Sequence, residues 1–313
     1  MLFFPKEKII EMVSMAKAII AMKNAFIQLS NGEAIVPQRT SLTIPDKNAS
    51  ALIMPAYVLG SPYYSVKTVS INYSNPEKGL PLIQGVIHVF DASKGQLLAT
   101  LDGESITAIR TAAASGLATD LLAKQDANVC AIFGTGVQAK AHVEAMLAVR
   151  KIQKYIIISR TQESAQQFID SQKSDVDFEL GTNESISEAD IICTTTPSEN
   201  SLFEHDFVKR GCHINVVGSH QPEFREVPTE TIVNSKVVVD QLEACKNEAG
   251  DLLIPIKEGN WDFGRLYGEL GQIASGEILG RESDDEITLF KSVGIAIQDL
   301  ALVNLIMEKS NHH

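Results

Sequence analysis

A glycine-containing segment near the middle of the chain constrains the fold more than any other feature. It reads Phe133-Gly134-Thr135-Gly136-Val137-Gln138-Ala139, between the apolar run Val129–Phe133 and the helical pattern Val137–Val149. A strand, this glycine spacing and a helix, in that order, are typical of a dinucleotide-binding unit. Gly134 permits the tight turn, and Gly136 lets the backbone approach a pyrophosphate. We therefore predict that Gly134, Thr135, Gly136, Val137 and Gln138 bind the phosphates at the N-terminus of this helix.

The pattern after this segment supports a doubly wound sheet. Further apolar runs follow, separated by helical patterns, at 155–159, 191–193, 213–217 and 236–240. Alternating strands and helices are typical of an α/β fold with a parallel sheet. We predict a Rossmann-type dinucleotide-binding domain over residues 116–295.

The first third of the chain has a different hydrophobic pattern. Helical periodicity up to Asn31-Gly32 predicts two helices, and residues 38–102 alternate in a way that predicts an antiparallel meander of five or six strands. An Ala-rich helical stretch over 105–122 connects the two parts of the chain. Apolar spacing over 286–309 predicts one long amphipathic helix that packs back onto the first part. Residues 1–115 with 296–313 are thus predicted to form an α+β domain.

The second apolar run of the nucleotide domain indicates which cofactor is preferred. An NAD site usually has an acidic residue at the end of this strand, whereas here the sequence is Ser159-Arg160-Thr161. Arg160 can clamp a 2′-phosphate, and the flanking hydroxyls can donate to it. We predict a preference for NADPH, with NADH possible; the alternative is that Arg160 is a solvated loop residue.

Composition and charge limit the kinds of molecule that the protein is expected to bind. The 313 residues are 44% hydrophobic and 21% charged, and the net charge of −12 argues against nucleic acid. No run is long and apolar enough to span a bilayer, and no signal peptide is present, so a cytoplasmic protein is expected. The four cysteines are scattered singly, the histidines lack metal spacing, and no metal site is predicted. His312 and His313 are either native or part of a tag.

Several motifs occur in an order that identifies a resemblance. These are Lys67, Asn75-Pro76-Glu77-Lys78-Gly79-Leu80-Pro81, Asp102-Gly103, Thr107-Ala108-Ile109-Arg110-Thr111-Ala112-Ala113, the glycine segment, Leu289-Phe290-Lys291-Ser292-Val293-Gly294 and Gln298-Asp299. Together they span nearly the whole chain and resemble the ornithine cyclodeaminase/mu-crystallin family. The resemblance implies a homodimer in which the first domain binds substrate and strands of both subunits close into a barrel-like core.

The resemblance also implies site residues. Arg39, Lys67 and Arg110 would line the substrate site, with the arginines on an amino-acid carboxylate and Lys67 at the reacting centre. A forked guanidinium matches a carboxylate, which agrees with these roles. We further assign to the cofactor site Thr195, Val217, Gly218 and Val293 of the predicted nucleotide domain, and Thr111 just before it.

Three departures from the family pattern bear on the reaction. Ornithine cyclodeaminases carry an aspartate and, four positions later, a lysine where this chain has His220 and Phe224. A substrate-side threonine is replaced by Leu82. Since the apparatus for handling an amine is missing, the resemblance favours a plainer reductase.

The sequence therefore predicts an NAD(P)H-dependent oxidoreductase that reduces a cyclic ketimine carboxylate, 1-pyrroline-2-carboxylate or 1-piperideine-2-carboxylate, to L-proline or L-pipecolate. Lys67 or His220 would donate or organise a proton, although His220 could equally be a polar residue that only borders the nicotinamide ribose. The alternatives are an ornithine cyclodeaminase, an alanine dehydrogenase, or a non-catalytic NADPH-binding protein of the mu-crystallin type.

Overall fold

A computed structural model describes residues 1–173 and 175–311, so His312 and His313 lie outside the described residues. Numbered in chain order, its strands are β1 (Leu2–Phe4), β2 (Ala34–Ile35), β3 (Thr40–Ile44), β4 (Ala49–Val58), β5 (Tyr63–Asn72), β6 (Ile83–Asp91), β7 (Leu97–Asp102), β8 (Val129–Phe133), β9 (Lys154–Ile158), β10 (Asp177–Leu180), β11 (Ile191–Thr194), β12 (His213–Val216), β13 (Ser235–Val239), β14 (Gly268–Glu269) and β15 (Ile287–Lys291). The α-helices are α1 (Lys6–Met12), α2 (Met15–Ser30), α3 (Gly103–Leu122), α4 (Val137–Val149), α5 (Gln162–Asp170), α6 (Thr229–Val233), α7 (Leu242–Glu248), α8 (Gly250–Lys257), α9 (Leu270–Ser275) and α10 (Ala296–Asn311).

The chain divides into two compact units. The first comprises Met1–Arg110 together with the chain from Ile295 onward, and the second is Thr111–Gly294. The first boundary falls within α3, immediately after Arg110. The second falls at Gly294, whose φ of +76° is a conformation that favours glycine.

The first unit is built on a seven-stranded sheet. Its order is β1-β7-β6-β5-β4-β2, with β3 also paired to β4. The pairs from β2 through β7 are antiparallel, as the alternating sequence predicts, and β1 adds a parallel edge to β7. Helix α10 packs on α2, β4 and β5, and the apolar side of this packing is buried, Phe26 and Leu300 included. The two predicted N-terminal helices are present as α1 and α2.

The second unit is a doubly wound parallel sheet. Its order is β10-β9-β8-β11-β12-β15-β13-β14, and every pair in it is parallel. The central strands are buried on both faces, which explains why they are apolar throughout. The order changes direction at β8, so the carboxyl end of β8 is the topological switch point where such folds bind dinucleotides. The predicted α/β fold class is confirmed.

The prediction of a single helix over 286–309 is wrong. Ile287–Lys291 is strand β15, inserted between β12 and β13, and the helix begins only at Ala296. A five-residue strand that is buried on both faces shows no alternation, and its apolar residues fitted a helical spacing by coincidence. Among the helices of the described chain, none is both long and apolar enough to cross a membrane.

Candidate active site

Lys67 lies in the middle of the first unit's sheet and is buried. It sits on β5, opposite Met54 of β4 and Ile87 of β6, with only 2% of its surface exposed. Its Nζ donates to Oδ1 of Asp299, at 3.0 Å, in the first turn of α10. A buried ammonium is costly unless it is paired, so this carboxylate is what makes the position tenable for a lysine.

Arg110 reaches the same carboxylate from α3. Its Nε lies 3.4 Å from Oδ1 of Asp299, and its Nη1 donates to Oε1 of Gln298 at 2.6 Å. The Gln298 oxygen also accepts from the backbone N–H of Ile295, which fixes the turn that starts α10. Asp299 and Gln298 therefore set the orientation of the guanidinium fork.

Burial lowers the pKa of Lys67 to about 8. Loss of solvent is the main cause, the charges of Arg110 and then Arg39 lower the pKa further, and Asp299 opposes them by charge and by hydrogen bond. Arg39 is half-buried just before β3 and close enough to contribute to this shift. Three cations against one carboxylate leave a local charge of +2 (3 − 1) when Lys67 is protonated. The structure thus brings the three predicted substrate residues together in a cluster suited to an anion.

Oδ2 of Asp299 and Nε2 of Gln298 have no hydrogen-bond partner within the described chain, and their side chains are 1% and 0% exposed. A buried acceptor and a buried donor left unsatisfied are costly, and a polar ligand would satisfy both. The sequence marks Gln298-Asp299 only as part of a motif and does not predict their role in the site. The signal that could have marked them is a pair of polar residues on the otherwise apolar face of α10.

In the second unit, the glycine segment has the geometry of a phosphate-binding turn. Gly134 has φ +110°, which side chains rarely adopt, and a Cβ there would collide with Thr195. Gly136 is the extended N-cap of α4, receives no side-chain cap, and would direct a Cβ into open space. Ala139 is fully buried. The residues therefore fit a dinucleotide: the start of a 13-residue helix is left uncapped and open for a pyrophosphate.

The end of β9 offers a cation and no carboxylate. Ser159 is half-buried, Arg160 is exposed, and Thr161 is the N-cap of α5, where its Oγ1 accepts from the backbone N–H of Ser164. The Thr161 hydroxyl also donates to the hydroxyl of Ser164. Because the Thr161 side chain already caps the helix, Arg160 and Ser159 are better placed than Thr161 to bind a phosphate.

Four of the remaining predicted cofactor residues follow the carboxyl ends of strands of the second unit, and the fifth, Thr111, lies in α3. Thr195 follows β11 and donates its hydroxyl to the carbonyl of Phe133, at 2.7 Å. Val217 and Gly218 follow β12, and Val293 follows β15 with its N–H bonded to Oδ2 of Asp240. Thr111 is buried in α3.

The loop after Gly218 carries the residues that depart from the family pattern. His220 and Phe224 are both half-buried, in a loop that packs closely on Gly250 at the start of α8. Leu82, in the first unit, is half-buried just before β6. Among the described residues, no group of histidine, cysteine and acidic side chains is arranged to hold a metal ion.

Comparison with known proteins gives a match over the whole chain. A model of the ornithine cyclodeaminase/mu-crystallin family matches residues 2–313. A Delta(1)-pyrroline-2-carboxylate reductase from Bacillus cereus (strain ZK / E33L) is 41% identical over 305 residues, which cover 96% of this chain and 94% of the relative.

Two solved structures are also similar to this chain over nearly its whole length. A Thermococcus litoralis Delta(1)-pyrroline-2-carboxylate reductase in complex with NADH and L-proline is 37% identical, with a TM-score of 0.95 over 100% of this chain and 98% of that one. An archaeal alanine dehydrogenase dimer with bound NAD is 30% identical, with a TM-score of 0.94 over 99% and 96%.

Proposed function

The chain belongs to the ornithine cyclodeaminase/mu-crystallin family, and we propose that it is an NAD(P)H-dependent reductase of a cyclic ketimine carboxylate. Its substrate is 1-pyrroline-2-carboxylate or the six-membered 1-piperideine-2-carboxylate, and its product is L-proline or L-pipecolate. The proposal is supported by full-length similarity to a reductase of the first compound and to one with NADH and L-proline bound.

The observation that carries the proposal is that Lys67 and Arg110 share the buried carboxylate of Asp299, while the half-buried Arg39 is close enough to lower the pKa of Lys67. A site with a net charge of +2 (three cations, one carboxylate) favours an α-carboxylate over a neutral or cationic ligand. A protein that only held a nucleotide would have no need for a buried lysine whose pKa is lowered towards neutrality.

In this proposal the arginines hold the substrate and Lys67 manages the proton. Arg110, oriented by Gln298 and Asp299, and Arg39 bind the carboxylate. Lys67, with a pKa of about 8, is mostly protonated near neutral pH and can donate a proton to the imine nitrogen or keep the iminium form protonated. The iminium carbon then accepts a hydride and the nitrogen keeps its proton, so that C=N becomes CH–NH. His220 is a second candidate for organising this proton.

The second unit would bind the cofactor. Residues from Gly134 to Gln138 would hold the pyrophosphate. Arg160 and Ser159 would bind the 2′-phosphate of NADPH, with Thr161 at the same turn. The nicotinamide half would contact Thr111, Thr195, Val217, Gly218 and Val293. A bound reduced nicotinamide would supply the hydride. NADPH is the preferred cofactor in this proposal because the three residues directly after β9, Ser159-Arg160-Thr161, include no carboxylate.

A homodimer in the cytoplasm is also part of the proposal. A similar alanine dehydrogenase is described as a dimer, which supports the assembly. Sedimentation or light scattering would test it.

A substrate panel tests the function. Purified protein is mixed with NADPH or NADH and with 1-pyrroline-2-carboxylate, 1-piperideine-2-carboxylate, or pyruvate plus ammonia, and the absorbance of the reduced cofactor is followed. Oxidation with a cyclic imine supports the proposal. Faster oxidation with pyruvate and ammonia would indicate an alanine dehydrogenase, and no oxidation with any of them would indicate a binding protein.

A further inference from the structure

Glu226 is a fully buried carboxylate in the second unit that accepts hydrogen bonds from two loops at once. Oε1 accepts from the backbone N–H and the hydroxyl of Thr196, at 2.7 and 2.8 Å. Oε2 accepts from the hydroxyl of Thr194 and the backbone N–H of Gly218, at 2.9 and 2.7 Å. Thr194 ends β11 and Gly218 follows β12, so a single side chain connects the carboxyl ends of neighbouring parallel strands.

A second buried pair holds Glu226 in place. Oδ1 of Asp251 accepts from the backbone N–H groups of Glu226 and Val227, at 2.6 and 3.1 Å. Its Oδ2 accepts from Nζ of Lys291, at 2.7 Å, and that ammonium also donates to the carbonyl of Ser219 at 2.7 Å. The three charged side chains are each 0% exposed. Because a buried charge must be matched, removing one member disturbs the others.

The two loops are packed so tightly that their conformation depends on these bonds. A Cβ on Gly218 would collide with the backbone of Thr196 and with the Glu226 carboxylate. Only a glycine can therefore bring the loop after β12 this close to the loop after β11. A carboxylate has no proton to donate, so it can face four donors without conflict.

The position of these loops along the sheet indicates which part of a dinucleotide they would meet. The pyrophosphate turn follows β8, and β9, whose end determines the 2′-position, lies on one side of β8. Strands β11 and β12 lie on the other side, and the far end of the dinucleotide extends in that direction. The loops held by Glu226 therefore belong to the nicotinamide half of the site.

We propose that Glu226 is a positioning residue that holds the loops after β11 and β12 in the conformation that receives the nicotinamide ring. This inference rests on the proposed use of a nicotinamide cofactor. Glu226 does not touch the reacting atoms, and its effect is exerted through Thr196 and Gly218.

The test compares two nucleotides that differ only in the nicotinamide. The dissociation constants of NADH and ADP-ribose are measured by calorimetry for the wild type and for Glu226→Gln. The amide turns an N–H₂ towards donors that need an acceptor, so NADH should bind about tenfold more weakly while ADP-ribose stays within about twofold. At saturating NADH, the maximal rate of imine reduction should also fall.

Asp190→Asn is the matched control. Asp190 is a buried carboxylate that likewise accepts from two backbone N–H groups, those of Asn128 and Val129, but at the amino ends of the strands. This variant should lower thermal stability and leave the ratio of the NADH and ADP-ribose affinities unchanged. If Glu226→Gln does not fold, Thr194→Val removes one donor to Oε2, keeps the side-chain shape, and should change the same ratio to a smaller extent.

The pH dependence of the NADH and ADP-ribose affinities adds a second test. A purely structural role of Glu226 would not make the ratio of these affinities depend on pH. Burial, and next the charge of Asp251, raise the pKa of Glu226 to about 6, and Lys291 opposes them. Protonation replaces an acceptor by a donor, so the preference for NADH over ADP-ribose should fall between pH 7 and pH 5 in the wild type. In Glu226→Gln it should stay flat over this range.

The outcomes separate this inference from the proposed function. Equal weakening of NADH and ADP-ribose by Glu226→Gln, or no weakening of either together with an unchanged maximal rate, would overturn the positioning role alone. A wild-type protein that binds neither NADPH nor NADH would overturn the proposed function, and the inference with it.

Discussion

Nζ of Lys67 and Oδ1 of Asp299 are 3.0 Å apart, and both side chains are at most 2% exposed. They come from residues 232 positions apart in the sequence, on a central strand and on the C-terminal helix. The pairing keeps an ammonium in the interior of the first unit, next to the Arg110 guanidinium. Asp299 therefore controls both the charge state of Lys67 and the orientation of Arg110.

The first prediction concerns Asp299→Asn. Lys67 is useful as a proton donor only while protonated, so kcat/KM for imine reduction should fall as the pH rises through about 8. Because Asp299 raises the pKa of Lys67, its removal should move this fall to lower pH, by about one unit or more. Asp46→Asn, which removes the exposed acid paired with Lys47, is the control and should leave the profile unchanged. If the pH profile of Asp299→Asn is not shifted, Lys67 is not the group whose protonation controls the reaction.

The second prediction concerns the shape of the Arg110 side chain. Arg110→Lys keeps the positive charge but loses the planar fork that binds Gln298 and is proposed to clamp the carboxylate. We expect kcat/KM to fall by about 10- to 100-fold, the loss of a charged hydrogen bond. Arg210→Lys, on an exposed arginine paired with Asp285, is the matched control. Steady-state kinetics that are unchanged in Arg110→Lys would remove this residue from the substrate site.

The third prediction concerns the choice of cofactor. Arg160 follows β9 and is exposed, where a 2′-phosphate could reach it. Arg160→Ala should weaken NADPH binding by about 1–3 kcal/mol and NADH binding much less. Lys151→Ala removes another exposed cation of the same unit and serves as the control. Equal losses for the two cofactors, measured as dissociation constants, would contradict the assignment.

The fourth prediction concerns two buried histidines of the second unit. Burial lowers the pKa of His142 to about 4, and burial followed by the charge of Arg281 lowers that of His213 to about 3. Below pH 6.5 the two histidines are protonated in the unfolded chain but stay neutral in the folded chain until the pH reaches these lowered pKa values. The folded state is therefore most stable above pH 6.5 and loses stability as the pH falls. At pH 5 each histidine should lower the free energy of unfolding by about 2 kcal/mol relative to pH 8.

Urea unfolding at several pH values tests this expectation. His142→Gln removes one titrating group and should make the free energy of unfolding less dependent on pH between 8 and 5, whatever its effect at pH 8. A dependence as steep as that of the wild type would show that His142 is not buried in its neutral form.

The local parts of the fold were predictable because their signals are local. The strand, the glycine turn and the helix around Gly136 have the predicted bounds, Val129–Phe133 and Val137–Val149. The alternation over 38–102 predicted an antiparallel sheet, since one face of each strand meets the core. Strand β15 was missed because a strand buried on both faces carries no alternation.

The partners of the site residues were not predictable. Nothing near Lys67 in the sequence shows that Asp299 will pair with it, because packing of α10 on β5 brings them together. Glu226 gave no signal either, since its four donors come from the end of β11 and from the loops after β11 and β12. The motifs predict which residues form the site, and the tertiary structure is needed to say which partners hold them in place.

The most direct test of the central claim is a product balance with purified protein. With 1-pyrroline-2-carboxylate and excess NADPH, we predict that one L-proline forms for each NADPH oxidised. With L-ornithine and catalytic NAD, we predict little or no ammonia, because His220 and Phe224 stand where ornithine cyclodeaminases carry an aspartate and a lysine. Rapid release of ammonia with formation of proline from ornithine, and no net oxidation of NADPH with the imine, would contradict the account.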